Sequence, residues 1–153
     1  MTQKITPNLW FDGNAKEAVE YYVSVFPDSK IIATEYYPNS VDEGLADFQK
    51  DMAGKELFLN FELSGQLLVA INAGPEFKFN EAVSFAVTCK DQAEIDYFWD
   101  KLSSVPEAEQ CGWCKDRFGL SWQVVPANMD ELMKRPNAFA HMMKMKKLVV
   151  EDF

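Results

Sequence analysis

Apolar residues recur along this chain at two rhythms, a period of two and a period near 3.6, and the order of those rhythms is repeated once. Ile5 to Asp12 reads as a first strand. Asn14-Ala-Lys-Glu17 then predicts a helix start, with Asn14 as cap and Glu17 placed to reach back to the cap's backbone N–H. The helix carries Ala18, Tyr21, Tyr22, Val25 and Phe26 at helical spacing, and Pro27-Asp28 stops it. Ser29 to Tyr37 reads as a second strand. Pro38 to Gly54, poor in apolar residues, reads as a long surface loop. Strands over Glu56 to Leu63 and Gln66 to Asn72 meet at a Ser64-Gly65 turn, the spacing of a hairpin. Ala73-Gly74-Pro75 breaks the pattern and opens a linker to about Asn80.

From Glu81 the pattern starts again. Ser84 to Lys90 is a strand, Asp91-Gln-Ala-Glu94 repeats the cap, and a helix follows with Ile95, Phe98, Trp99 and Leu102. Asn14 and Asp91, Glu17 and Glu94, and Val25 and Leu102 are all 77 positions apart, about half of the 153 residues. Such self-similarity implies two copies of one strand-helix-strands unit. The copies are unequal, because Ser103 to Glu109 leaves no room for the strand that Ser29 to Tyr37 supplies in the first. An uncovered sheet edge invites pairing with other chains. The tail offers the cover: Asn128 to Arg135 and Asn137 to about Lys146 read as short helices broken by Pro136, and Lys147 to Val150 as a last strand, in this subunit or a partner's.

Cys111 to Pro126 reads as the second copy's β-hairpin. Asp116-Arg117-Phe118-Gly119 is its turn, with an Asp able to bond the backbone ahead and a Gly able to take positive φ. In the strand after it, Ser121, Gln123 and Val125 share one face and Leu120, Trp122 and Val124 the other. A polar face behind an apolar one predicts a core on one side and a wetter space on the other.

Composition narrows the function classes. The 48% hydrophobic content comes in short runs, none near the roughly 18 residues of a membrane span. The start, MTQKITPNLW, has no charged-then-apolar secretory pattern, so the expectation is a cytoplasmic protein. Three cysteines, an odd number, argue against a disulfide framework. A net charge of −9 repels phosphate backbones and anionic membranes. Small molecules and protein partners remain.

Trp10-Phe11-Asp12-Gly13-Asn14-x-x-Glu17-Ala18, Ala73-Gly74-Pro75-x-Phe77-x-Phe79-Asn80, Asp91-Gln-Ala-Glu94-x-Asp96 and Cys111-Gly-Trp113-x-x-Asp116-x-x-Gly119-x-Ser121-Trp122-Gln123-x-x-Pro126 cover nearly the whole chain in order. Together they resemble the vicinal oxygen chelate superfamily of glyoxalases, dioxygenases and antibiotic-resistance proteins. Within it they are most similar to the PhnB-like branch, often labelled 3-demethylubiquinone-9 3-methyltransferase. The resemblance implies an α+β fold in which two βαβββ-type repeats form a cup-shaped mixed sheet with helices outside, commonly as a homodimer, with the ligand in the cup. On this reading the single domain spans 1–153, with a first repeat at 1–74, a shortened second at 81–126, and the tail helices and last strand at 127–153. Metal-dependent superfamily members take their ligands from four strand positions that correspond here to Pro7, Ala70, Ser84 and Gln123. None is an ordinary ligand of a catalytic divalent metal, so neither a metal nor another cofactor is expected.

Strand parity then gives a cup lined by Leu9, Phe11, Asn72, Ser84, Thr88, Ser121 and Gln123, with Trp113 as an aromatic wall and Ser84, Gln123 and Asn72 as polar anchors. This lining suits a small organic molecule. It is equally the lining of strands that merely face solvent. Cys111-Gly-Trp-Cys114 invites a redox reading, but on a strand its Cα atoms would be about 10 Å apart against the roughly 7 Å a disulfide tolerates. Methyl transfer finds no Gly-rich cofactor loop, since Asp12-Gly13-Asn14 reads as turn plus cap. With His141 alone in the tail, no histidine-activated nucleophile is placed, and catalytic residues are left unassigned. Asp116 reads as a turn residue first, and the tail methionines 129, 133, 142, 143 and 145 as adaptable packing. Three functions stay open: a metal-independent binder or weak enzyme, a metal-dependent lyase, isomerase or dioxygenase using other residues, and a dimer with a vestigial cup.

Overall fold

The computed structural model describes residues 3–153 and has the glyoxalase-like α+β architecture: two small mixed sheets, each backed by a helix. The chain divides into two compact units, the first ending at Lys78 and the second running from Phe79 to Phe153. In the first, β1 (Asn8–Asp12), α1 (Ala15–Val25), β2 (Lys30–Tyr36), β3 (Glu56–Leu63) and β4 (Gln66–Ala73) build a sheet in the order β1-β4-β3-β2. β1 runs parallel to β4, and the other neighbours are antiparallel. The predicted long loop contains two 3-10 turns, Val41–Glu43 and Asp47–Met52.

One face of this sheet lies under α1. Leu9, Phe11, Leu59, Phe61, Leu63, Leu68 and Ala70 are buried there with Ala18, Val19, Tyr22 and Val25 of the helix. Asn14 does not cap α1 with its side chain; Asn72 does part of that work from the sheet. Its Oδ1 accepts from Ala15 N at 3.2 Å and its Nδ2 donates to Glu56 O at 3.0 Å, while Tyr37 Oη donates to Asn72 O at 2.6 Å. A buried amide with both ends bonded is a structural fixture. Leu9, Phe11 and Asn72 thus sit on the helix-covered face, opposite to the one that strand parity was expected to give them. Parity fixes which residues share a face, and only packing decides which face the helix takes.

The second unit repeats the first without β2. β5 (Ser84–Cys89), α2 (Gln92–Leu102), β6 (Trp113–Lys115) and β7 (Ser121–Pro126) form a sheet in the order β5-β7-β6, with β5 parallel and β6 antiparallel to β7. α1 and α2 are both 11 residues long and offset by 77, as the repeat requires. Here the cap forms as expected: Asp91 Oδ1 accepts from Glu94 N at 2.9 Å. Val87, Cys89, Cys114, Trp122 and Val124 are buried on the helix side with Ile95, Phe98 and Leu102. No helix among the described residues is long and apolar enough to cross a membrane.

The tail does not add the expected strand. After α3 (Met129–Leu132) and α4 (Ala138–Met142), the chain runs past the hairpin and ends in a 3-10 turn at Val150–Asp152. Its polar groups are satisfied piecemeal. Cys111 N donates to Met145 O at 2.9 Å, Gly112 N to Lys146 O at 2.8 Å, and the side-chain amide of Gln92 takes both Leu148 O (3.1 Å) and Val150 N (2.8 Å). One amide thereby does what two rungs of a ladder would do. The outer side of β6 is covered instead by its own approach, where Ser104 N donates to Lys115 O and Gln110 pairs with Trp113. Gly112, at φ +87, is a tight place for any side chain, since a Cβ would meet Leu148 Cδ1 at 3.0 Å and Val124 O at 3.1 Å and push them by a few tenths of an ångström.

Leu132, Ala138, Leu148 and Phe153 form a buried cluster of their own. Leu148 is fully buried, so Leu148→Ala should cost about 2–5 kcal/mol through lost contacts and the cavity left behind. Urea unfolding checks this, and truncation after Lys146 should be at least as damaging. A truncated chain with an unchanged urea midpoint would show that the tail is dispensable.

Candidate functional site

The face of β5-β7-β6 turned away from α2 carries Ser84, Ala86 and Thr88 on β5, Ser121, Gln123 and Val125 on β7, and Trp113 and Lys115 on β6. The register sets Ser84 beside Ser121 beside Lys115, and Ala86 beside Gln123 beside Trp113. This arrangement depends on the hairpin turn. Asp116, 1% exposed, accepts from Phe118 N at 2.8 Å and Leu120 N at 3.1 Å through Oδ1, and from Trp122 Nε1 at 2.8 Å through Oδ2. Gly119, at φ +91, closes the turn by donating to Asp116 O. Asp116 therefore orders the turn, and its carboxylate points into the core.

Along this face lies a cleft of about 790 Å³. Trp113, Gln123 and Val125 line it from the sheet, Gln110 and Cys111 from the turn before β6, and Met129, Met133, Phe139, Met142 and Met143 from the tail helices. Glu81 stands at its edge and pairs with Lys115, whose ammonium holds the Glu81 carboxyl below the usual range. Gln123 Nε2 donates to Ser84 Oγ at 2.9 Å, which fixes the amide's orientation. Ser121 Oγ is buried without a hydrogen-bond partner, a condition that buried hydroxyls rarely keep.

Of the residues expected in the site, Trp113 and Gln123 line the cleft, and Ser84 reaches it through Gln123. Ser121 shares their face, buried, and Thr88 shares it at an exposed position beside Val125. Phe11 and Asn72 belong to the core of the first unit. Sequence reasoning passed over the five tail residues as lining. Their signal was the density of methionine between 129 and 145, which reads the same for packing as for a cleft.

Residues 3–125 match the profile of the family described as 3-demethylubiquinone-9 3-methyltransferase. The chain belongs to this PhnB-like family. It is similar to a "putative 3-demethylubiquinone-9 3-methyltransferase, PhnB protein" from Bacillus cereus, with 33% identity over 82% of this chain and 100% of that one, at a TM-score of 0.64. A protein from Pseudomonas aeruginosa is 20% identical over 82% of this chain and 98% of its own, at a TM-score of 0.55, and shows the fold alone. No curated protein matches the chain significantly.

The four positions at which the resemblance to the vicinal oxygen chelate superfamily would place metal ligands do not suit a divalent metal in this chain. Pro7 offers only a carbonyl already bonded to Val69 N, Ala70 is buried under α1, and Ser84 and Gln123 are bonded to each other. Among the described residues no three His, Cys, Asp or Glu side chains come together. The cysteines do not form a redox pair either. Cys111 lines the cleft, whereas Cys114 is buried on the helix side of β6.

Burial pushes the Cys89 and Cys114 thiols from 9.0 up to about 12, with nearby carboxylates adding to the effect. The folded protein thus keeps protons that the unfolded chain gives up above about pH 9. Stability should therefore fall as pH rises from 9 towards 12, because the unfolded state binds fewer protons there. Urea midpoints measured from pH 8 to 11 check this. A flat profile would show that neither thiol is held protonated by the fold.

Proposed function

We propose that this PhnB-like protein holds a small organic molecule in the cleft on the open face of β5-β7-β6, without the divalent metal of the wider superfamily. One observation carries the reading: an aromatic wall, Trp113, and an amide pre-set by Ser84, Gln123, converge in a cleft otherwise lined by apolar and thioether side chains. Small-ligand sites have this make-up, and their volumes run from about 300 to 1,000 Å³. The lining suits a ligand with a mainly apolar body and one or two hydrogen-bonding groups. Gln123 would read those groups and Trp113 would cover the body.

What such a site can do chemically is bind, orient and exclude water. No imidazole is among the lining residues and their one carboxylate, Glu81, is paired with Lys115, so the groups for general acid–base work are not assembled there. Methyl transfer, which the family's description names, gains no support at the β1–α1 junction. The first amide of α1 is spent on Asn72, and a single turn glycine, Gly13, precedes it. The family resemblance favours a homodimer, and the N-terminal sequence pattern a cytoplasmic location.

A thermal-shift screen of neutral aromatic amides and alcohols tests the proposal. Compounds that raise the melting temperature should bind Gln123→Leu about tenfold more weakly, the value of one hydrogen bond of about 1.4 kcal/mol, while the melting temperature of the free protein barely changes. Trp113→Ala should weaken the same compounds further. Binding indifferent to both substitutions would move the site elsewhere, and a turnover abolished by chelator would favour the metal-dependent reading instead.

A further inference from the structure

Five of the residues lining the cleft carry sulfur: Cys111, Met129, Met133, Met142 and Met143. Three separate pieces of chain bring them there, namely the turn before β6, α3 with its C-terminal residue, and the end of α4. Cys111 Sγ lies 3.6 Å from Met143 Sδ. Gln110 ties the two residues together: its Nε2 donates to Cys111 Sγ at 3.1 Å and to Met143 O at 2.9 Å. The backbone ties the same two segments two residues further on, since Cys111 N donates to Met145 O. A thiol and a thioether are thus held in contact by a side chain and a main chain that link both segments, with three more thioethers lining the same space.

We propose that this sulfur cluster binds a soft monovalent cation of the Cu(I) class, with the Cys111 thiolate and the Met143 thioether as fixed ligands and a third sulfur from Met129, Met133 or Met142. Thiolate and thioether ligands select soft metals, and they are poor ligands for Mg²⁺, Ca²⁺ or Mn²⁺. With metal–sulfur bonds of about 2.3 Å, two sulfurs of a three-coordinate, trigonal centre are about 4.0 Å apart, a few tenths of an ångström from the contact already made. The 3.6 Å separation is close to that before any metal enters. Binding as thiolate releases the Cys111 proton to water. The flexible methionines can close on the metal with little cost, and the net charge of −9 draws cations in. The site lies in the same cleft as the organic ligand proposed above, so metal and ligand would compete there, but it uses neither Trp113 nor Gln123 and none of the positions Pro7, Ala70 and Ser84.

The full chain, reduced and free of metal, would be titrated anaerobically with Cu(I) against a chromogenic Cu(I) chelator, and separately with Ag(I). The expected result is one tight equivalent per chain. Met143→Leu, at a position 46% exposed where folding should survive, should weaken it at least tenfold, and Cys111→Ser should abolish it. X-ray absorption should show sulfur-only coordination by three or more atoms. Full retention of affinity in Met143→Leu would mean adventitious thiol binding only and would overturn the site, as would undiminished binding in Cys111→Ser or nitrogen and oxygen ligation.

Discussion

The buried carboxylate of Asp116 is the constraint on which the second unit turns. It accepts two backbone N–H groups of its own turn and the indole N–H of Trp122 across the hairpin. Those three bonds set where β6 ends and β7 begins. Because side chains alternate along a strand, a shift of one residue in that register would send Trp113 and Gln123 to the helix side and Cys114 and Trp122 into the cleft. Phe85 packs edge-on against Trp122, 5.7 Å between centroids, so the same indole also anchors β5. The polar face and the apolar core are two readings of one fixed register.

The missing strand has a second consequence. In the first unit β2 lengthens the sheet, with bulges at Ile31/Ala33 and Glu35/Tyr36. In the second, β6 is three residues long and the chain before it folds back over its outer side. The tail is thereby freed from sheet duty. Held by Gln92 and by an ion pair between Lys147 and Asp96, it packs Leu148 into a small separate core and lays α3 and α4 along the open face. A shortened repeat becomes a walled cleft.

Much of this was legible in the sequence. The 77-residue offset placed both helices, the Asp116-to-Gly119 turn placed the hairpin, and the β5 and β7 alternation put Ser84, Thr88, Ser121 and Gln123 on one face. What failed did so for physical reasons. Asn14 has the identity of a cap, but its backbone, at φ −116 and ψ 24, is not the extended one of a capping residue, and the helix's first amide is taken by Asn72 from β4, a contact between residues 57 positions apart that no local pattern records. Phe11 and Asn72 were correctly paired with their neighbours and assigned to the wrong side, because alternation is silent about which face the helix covers. Lys147 to Val150 has strand composition, yet the Gln92 amide satisfies its backbone first. The methionines were visible, but a thioether packs against anything apolar, and only the fold shows that they face Trp113 and Cys111.

An organic ligand in the cleft leaves no role for a resident divalent metal. Elemental analysis of gently purified protein, paired with thermal shift against Mn²⁺, Ni²⁺, Co²⁺ and Zn²⁺, tests it most directly. A ligand specific to the folded state at 100 times its dissociation constant adds about 2.7 kcal/mol, a shift that is easily seen. None of these metals should be present at stoichiometric level, and none should stabilise the protein. One equivalent of a divalent metal with a clear rise in melting temperature would contradict this expectation.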